Sequence, residues 1–507
     1  MTCAAVTGIN TERNRARFSG GSLTHRGKLA VQYCYDNDEL RQLPSKLVSS
    51  IFTVDCPDNY WPSASTLVAD FFELLPRCVS EKQKHGRSAA SCPHYKWELL
   101  ALLFCAYFFY QGDRAIFGIV LSAIKTDLHL TDGQLGLVGS VLFFTLAIMM
   151  PVAGYLGDVW NKKRIIVGAI LFWSAATMFT GLAGGLVGLI AFRSIATAGG
   201  ESFYAPAAYP LLAAHHVRTR ALALSIHQCS LYIGVMVSGF LGGYIAERWG
   251  WRSAFFVFGG GGIVLGFILL WRLLDAPSVT ATAVENRDSV WRALGVIFRS
   301  PSAVLLTTGF TAIVFVNNAY VVWSPVFLQE KFNLSLTKAG GYALFYHHLA
   351  ALVGILFGGW ISDRVAVTRP VFRPQLMSAA MLLAVPLIFL MGRADSLVMA
   401  CVTMAGFGLF RGLYEANTHA ALFEVIAPRH RASAVGISVM LAFMIGSISP
   451  WLLGHLRESY PAGLGLGYGF SALSGAYLIG GIAVTVAVLF TFSKDRCPEE
   501  SAAVSAT

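Results

Sequence analysis

Three observations predict an all-α, polytopic membrane protein with twelve transmembrane helices in two six-helix halves. Apolar runs of about 20 residues, the length a bilayer core demands, recur from Trp97 to Ser493. Charged residues make up only 13% of the 507-residue chain, against about 25% in soluble proteins. Hydrophobic residues make up 55%, and mean hydropathy is +0.59. Finally, short polar signatures in the first half of the apolar region recur at matching places in the second.

The same composition excludes other classes. Disorder, collagen and a small disulfide scaffold do not fit so apolar a chain. Lys and Arg total 38 against 28 Asp and Glu. This modest excess sits in short clusters between apolar runs, which argues for one membrane face and against nucleic acid. The nine cysteines show no CxxC or Cys/His spacing, so neither a disulfide framework nor a metal site is expected. No cofactor is expected either.

The spans are placed at roughly 97–124, 133–156, 164–183, 185–213, 220–246, 252–274, 302–328, 337–361, 373–392, 395–424, 432–456 and 466–493. Interior prolines such as Pro151, Pro210, Pro325 and Pro386 are compatible with this, because neighbouring membrane helices re-satisfy the backbone. The domain reading is a polar extension over 1–95, a six-helix bundle over 96–274, a central loop over 275–300, a second bundle over 301–493 and a tail over 494–507. The extension has no secretory h-region and reads as a poorly ordered cytosolic segment.

Loop charge sets the expected orientation. The connections after spans 2, 4, 6, 8 and 10 carry fourteen Lys and Arg, among them Lys162, Lys163, Arg164, Arg218, Arg220, Arg429 and Arg431; the opposite connections carry seven. By the positive-inside rule the first set and both termini are cytoplasmic, and a plasma or inner cell membrane is the expected location.

The halves repeat each other. Gly154-Tyr-Leu-Gly-Asp158 closes span 2, and Gly359-Trp-Ile-Ser-Asp363 closes span 8. Arg218-Thr-Arg220-Ala between spans 4 and 5 is matched by Arg429-His-Arg431-Ala between spans 10 and 11. Such six-helix repeats place a substrate near mid-membrane between halves. Over 97–493 the chain resembles the major facilitator superfamily. The segment Gly154-x-Leu-Gly-Asp158-x-x-x-Lys162-Lys163 is similar to its loop 2–3 signature. That likeness assigns a gating role to Gly154, Asp158, Lys162, Lys163 and the repeat-related Asp363. Val159 stands where Arg is usual and Asn161 where Gly is usual, which implies a weaker gate.

No phosphate-binding Gly-Lys-Ser/Thr loop is present, which argues against an ATP-driven pump, and no nucleophile elbow or His-Glu-x-x-His pattern points to an enzyme. Ionisable residues inside spans are costly and therefore functional candidates. They are Asp113 and Arg114 in span 1, Arg193 and Glu201 in span 4, His227 in span 5, His347 and His348 in span 8, and Arg411, Glu415 and His419 in span 10. The last three follow i, i+4, i+8 spacing, so mutual neutralisation on one helix face competes with a functional role.

Four further segments resemble the anion:cation symporter family, whose members carry hexuronates, sugar acids and other organic anions. They are Tyr110-Gln-Gly-Asp113-Arg114, Gly200-Glu201 with Pro206, Gly250-Trp251-Arg252 with Phe255, and Tyr320 with Trp323 and Pro325. The first two are also similar to the spinster-like lipid transporters. One spacing departs from the symporter pattern: Arg193 precedes Glu201 by eight residues instead of seven. One extra residue turns an α-helix by about 100°, which takes Arg193 off the face that carries Glu201.

These features imply proton-coupled symport of a small organic anion across the lipid bilayer by alternating access. Arg114 would hold the carboxylate through its fork of N–H donors, with Tyr110, Gln111, Tyr204, Asn317, Asn318 and Tyr320 as polar contacts. Glu201, Asp113 and Glu415 are the proton-coupling candidates. Glu201 has no basic residue within four positions on its own helix, and Asp113 has Arg114 beside it in the chain. A spinster-like amphiphile exporter and a non-transporting sensor are the alternatives.

Overall fold

The computed structural model describes residues 95–217, 219–274, 290–461 and 464–496, and all its regular structure is helical. The expected N-terminal extension, most of the central loop and most of the tail lie outside the described residues.

Span 1 is the helix Tyr95–Ile119, followed by the short helix Leu121–Leu128. Spans 2, 3, 5 and 6 are single helices, Asp132–Val159, Lys162–Thr180, Arg220–Trp249 and Trp251–Arg272. Span 4 is interrupted: a π-helical stretch, Leu189–Ala196, leads into Thr197–Glu201, and a turn separates this from Tyr204–His215. In the second half, spans 7, 8 and 9 are Pro301–Phe332, Leu336–Val365 and Phe372–Arg393. Span 10 divides into Leu397–Glu415 and Thr418–Val425, span 11 into Arg431–Gly446 and Ile448–Glu458, and span 12 begins with Leu464–Val486.

Polar caps fix where the chain leaves the apolar layer. Thr131 opens span 2 with a capping box closed by Gln134. Ser300 caps span 7 ahead of Pro301, and Ser335 caps span 8. Asn161 accepts from the Arg164 N–H at 3.2 Å and so caps span 3, which explains a residue other than Gly at that slot of the loop 2–3 signature. Spans 5 and 6 meet at Gly250, whose φ of +84° lies in the region that favours glycine.

Among the described residues, ten helices are long and apolar enough to cross a membrane. The two expected spans outside that set are Tyr95–Ile119 and the broken span 4. These are the two that carry Asp113, Arg114, Arg193 and Glu201. Both nevertheless pack among the other spans, span 1 against span 5 and the parts of span 4 against spans 2 and 3.

Packing repeats between the halves. Span 1 lies on span 5 and span 3 on span 6; likewise span 7 lies on span 11 and span 9 on span 12. Across the halves, span 2 packs on span 11 and span 5 on span 8. We call the end that carries the connections after odd-numbered spans the odd-loop end, and the other the even-loop end. Among the described residues, the cross-half polar contacts gather toward the odd-loop end: Asp132 with Arg457, Ser122 with Gln329 at 2.6 Å, and Glu247 with Thr337 at 2.7 Å.

Candidate functional site

Two ion pairs stand side by side in the first half. Arg114 Nε donates to Glu201 Oε2 at 2.7 Å, joining spans 1 and 4. Arg193 Nη1 donates to Asp113 Oδ1 at 2.9 Å, joining the same two spans one residue away. Thr177 of span 3 donates to the second Asp113 oxygen. Arg193 Nη2 also donates to the Asp113 carbonyl at 2.9 Å and to the Arg114 carbonyl at 3.3 Å, which clamps the backbone that carries both charged residues.

This pairing is not the one that chain order suggests. Asp113 does not pair with its chain neighbour, because adjacent residues on a helix point about 100° apart. Glu201, which has no basic residue near it on its own helix, takes its cation from another, as Arg114 reaches it from span 1. Arg193 corrects a second expectation: it faces span 1 together with Glu201. The π-helical stretch Leu189–Ala196 explains how. Its i→i+5 bonds absorb an additional residue, so a spacing of eight does the work of seven.

Exposure separates the four groups. The side chains of Arg193 and Asp113 are 1% and 4% exposed and that of Glu201 is 0%, whereas Arg114 reaches 15%. Among the described residues, Glu201 Oε1 has no hydrogen-bond partner, so half of that carboxylate is available to a proton. The Arg114 guanidinium lies 4.3 Å from the Tyr110 ring centroid and also donates to the Tyr110 hydroxyl. Gln111 is buried one residue further along.

Tyr204 differs from the contact role expected of it. It is wholly buried, its hydroxyl donates to the Leu103 carbonyl at 2.7 Å, and His227 Nε2 lies 3.0 Å away. Tyr107, Tyr110 and Trp173 pack around it, so Tyr204 belongs to an aromatic core behind Arg114.

The second half holds a different arrangement. Arg411 donates to Glu415 Oε1 from Nε at 2.9 Å and from Nη2 at 2.7 Å. Its Nη1 lies 3.1 Å from His347 Nε2. His347 Nδ1 donates to the Met404 carbonyl at 3.3 Å, so these partners assign Nε2 as the acceptor. The Tyr232 hydroxyl of span 5 donates to Glu415 Oε2 at 3.0 Å, a bond between the halves. His419 does not continue the pair and packs edge-on to Phe310. His348 is buried, with Nδ1 donating to Leu344.

Tyr320 also differs from expectation: it is wholly buried, donates to the Ala343 carbonyl and packs on His347. Asn318 is buried close to Gly446, while Asn317 is half-buried with an Oδ1 that has no partner among the described residues. Neither joins the charged cluster.

In the expected gating loop, Lys162 and Lys163 are the first two residues of span 3 and are half-buried. Gly154 lies near the end of span 2. The Asp158 side chain lies outside the described residues. Its counterpart Asp363 is exposed and accepts from Arg373 at 2.9 Å. Sequence reasoning missed Thr177, Tyr232 and the π-helix. The only available signal for the π-helix was the spacing of eight itself. Among the described residues, no three His, Cys, Asp or Glu side chains converge on a metal-sized site.

Charge pairs between helices of a two-half bundle, ten of whose described helices are long and apolar enough to cross a membrane, fit a membrane transporter. The family model of the Major Facilitator Superfamily matches residues 103–450, and the chain belongs to that superfamily. It is therefore an integral membrane transporter and not an enzyme. It is similar to Protein spinster homolog 1 of Bos taurus, 28% identical over 387 residues that cover 69% of this chain and 71% of the bovine protein. It is also similar to an MFS-type efflux pump of Mycolicibacterium smegmatis, 25% identical over 74% of this chain and 87% of the pump. In fold it matches a bacterial homolog of the human lysosomal transporter Spinster, crystallised inward-facing and unoccupied. That match has a TM-score of 0.70 at 21% identity and covers 80% of this chain and 99% of the other.

Proposed function

We propose that the protein carries an organic anion together with a proton, by exchange of partners at Arg114. The observation that supports this is the unequal exposure of the first-half cluster: Arg114 is reachable while its partner Glu201 is wholly buried with one oxygen free. A carboxylate substrate that takes the Arg114 fork displaces Glu201. A charged, unpaired carboxylate in that environment is very costly, so Glu201 takes up a proton as it is released. Anion and proton then each favour the binding of the other, which is the linkage that symport requires. The second pair, Arg193 and Asp113, stays buried and holds the Arg114 backbone in place.

The positive-inside bias assigns the odd-loop end to the outside, with both termini cytoplasmic and the protein in a cell membrane. The described cross-half contacts lie toward that end, which supports an inward-facing reading of this state. The substrate class the site fits is a sugar acid or another small carboxylate. The similarity to spinster proteins over most of the chain supports a second reading, an amphiphile whose acidic headgroup meets Arg114. Liposomes carrying the purified protein and a pH-sensitive dye separate these readings. Proton uptake driven by sugar acids or aromatic acids supports the first, uptake driven by lysolipids supports the second, and none with any anion contradicts both.

A further inference from the structure

The odd-loop end is held by two contacts that repeat each other between the halves. Glu247, at the end of span 5, accepts from the backbone N–H of Thr337 at 2.8 Å and from its hydroxyl at 2.7 Å. Thr337 is the second helical residue of span 8, after the cap Ser335. Glu458, at the end of span 11, accepts from the backbone N–H of Gly133 at 2.8 Å. Gly133 is the second helical residue of span 2, after the cap Thr131. Spans 5 and 11 occupy equivalent places in the two halves, as do spans 8 and 2. Each half therefore sends one glutamate to the N-terminus of a helix in the other half.

The local sequence repeats as well. Gly243-Tyr-Ile-Ala-Glu247 and Gly454-His-Leu-Arg-Glu458 both read Gly-x-x-x-Glu. The glycine lies one turn before the glutamate on the same face. A Cβ on Gly243 would stand 2.6 Å from Thr337 Cα, and one on Gly454 would stand 2.5 Å from the Asp132 carbonyl oxygen. The glycine lets the helix approach, and the glutamate one turn later caps the partner helix.

We propose that Glu247 and Glu458 are a matched pair of gate residues, which cap the N-termini of spans 8 and 2 when the odd-loop end is closed and release them when it opens. The first N–H groups of a helix lack intrahelical acceptors and carry a partial positive charge, so a carboxylate there is stabilising. Both glutamates are exposed, so the contacts exchange with water. Such contacts bias the closed state without locking it, as a gate that opens in each cycle requires. The buried ion pair of Asp132 with Arg457, which also holds Glu330 of span 7, sits next to the Glu458 contact and fixes the approach of span 11.

Distances between spin labels at both ends test this, in the full chain with its nine cysteines replaced. One label pair, Arg248→Cys with Lys338→Cys, spans the halves at the odd-loop end. The other, Val217→Cys with Val367→Cys, spans them at the even-loop end. The double variant Glu247→Ala/Glu458→Ala is expected to shift the open-to-closed ratio roughly fivefold or more, as loss of two charged caps implies. The odd-loop distance should lengthen while the even-loop distance shortens, and each single variant should give part of the shift. Glu247→Gln/Glu458→Gln, which keeps an acceptor but loses the charge, should move both distances the same way by less. Unchanged distances in the double alanine variant would overturn the proposal. Broadening at both ends without opposite shifts would also overturn it, because that result describes loosened structure and not a gate.

Discussion

The two halves share their helix packing but solve the problem of intramembrane charge differently. In the first half, the pairs are interleaved across helices: Arg114 with Glu201 and Arg193 with Asp113, each joining spans 1 and 4. In the second half, Arg411 and Glu415 neutralise each other within a single helix at i, i+4. The exposure is reversed as well. Arg114 is more exposed than its carboxylate, at 15% against 0%, whereas Glu415 is more exposed than Arg411, at 21% against 8%. A pair within one helix survives any rigid-body motion of that helix. A pair between helices responds to what enters between them, which is why the partner exchange is proposed for the first half.

The largest effect expected from this contrast is on stability. Arg193→Ala leaves Asp113 buried without its cation, and breaking a buried pair in this way costs about 3–5 kcal/mol. A thermal-shift measurement should show a marked loss, partly restored by adding Asp113→Asn. A variant as stable as wild type would show that the clamp on span 1 contributes nothing.

Next in size is Arg114→Lys, which keeps the charge but loses the planar fork. One charge-assisted hydrogen bond is worth about 1.5–3 kcal/mol, so the substrate found in the proton-uptake assay should bind roughly 10- to 100-fold more weakly. Folding should be normal, and unchanged affinity would remove Arg114 from the site.

Glu415→Gln should do less. The pair lies within one helix and glutamine keeps an acceptor for Arg411, so the loss of affinity should be smaller than that of Arg114→Lys. Proton-driven accumulation should persist. If this variant uncouples transport, the contrast between the halves is inverted, and the second half carries the proton.

The smallest expected effect lies outside the spans. Arg252 donates to Asp127, as does Trp251 Nε1 at 3.2 Å, and these bonds hold the Asp127 carboxyl below its usual range. A depressed folded-state value stabilises above the unfolded value of about 3.9 and is lost as pH falls through the folded one. Between wild type and Asp127→Asn, the stability difference should therefore be constant from neutral pH to about pH 5 and shrink below about pH 4.

Much of the fold was legible because it depends on local pattern. Apolar runs set the spans, and Thr131, Ser300 and Ser335 mark their starts. The repeat of Gly154–Asp158 in Gly359–Asp363 showed the two halves. The identity of the first-half cluster was also legible, since Asp113, Arg114 and Glu201 stand out in apolar surroundings. The pairing within it was not, because it depends on helix rotation. Asp113 and Arg114 look like partners in the chain yet diverge around the helix. The π-helix is a backbone solution that no residue type announces. Tyr204 and Tyr320 misled for the opposite reason: a tyrosine in a span reads the same whether its hydroxyl faces a cavity or a backbone carbonyl such as that of Leu103. The Gly-x-x-x-Glu repeat was present in the sequence, but its meaning required knowing which helix starts lie opposite.

The most direct test of partner exchange at Arg114 is Glu201→Gln in liposomes under an imposed pH difference. Glutamine mimics the protonated carboxyl, so the variant should bind the anion and exchange it across the membrane at close to the wild-type rate. It should fail to concentrate the anion against a gradient. Accumulation equal to wild type would contradict the exchange and send the proton to another residue, with Asp113 the next to test.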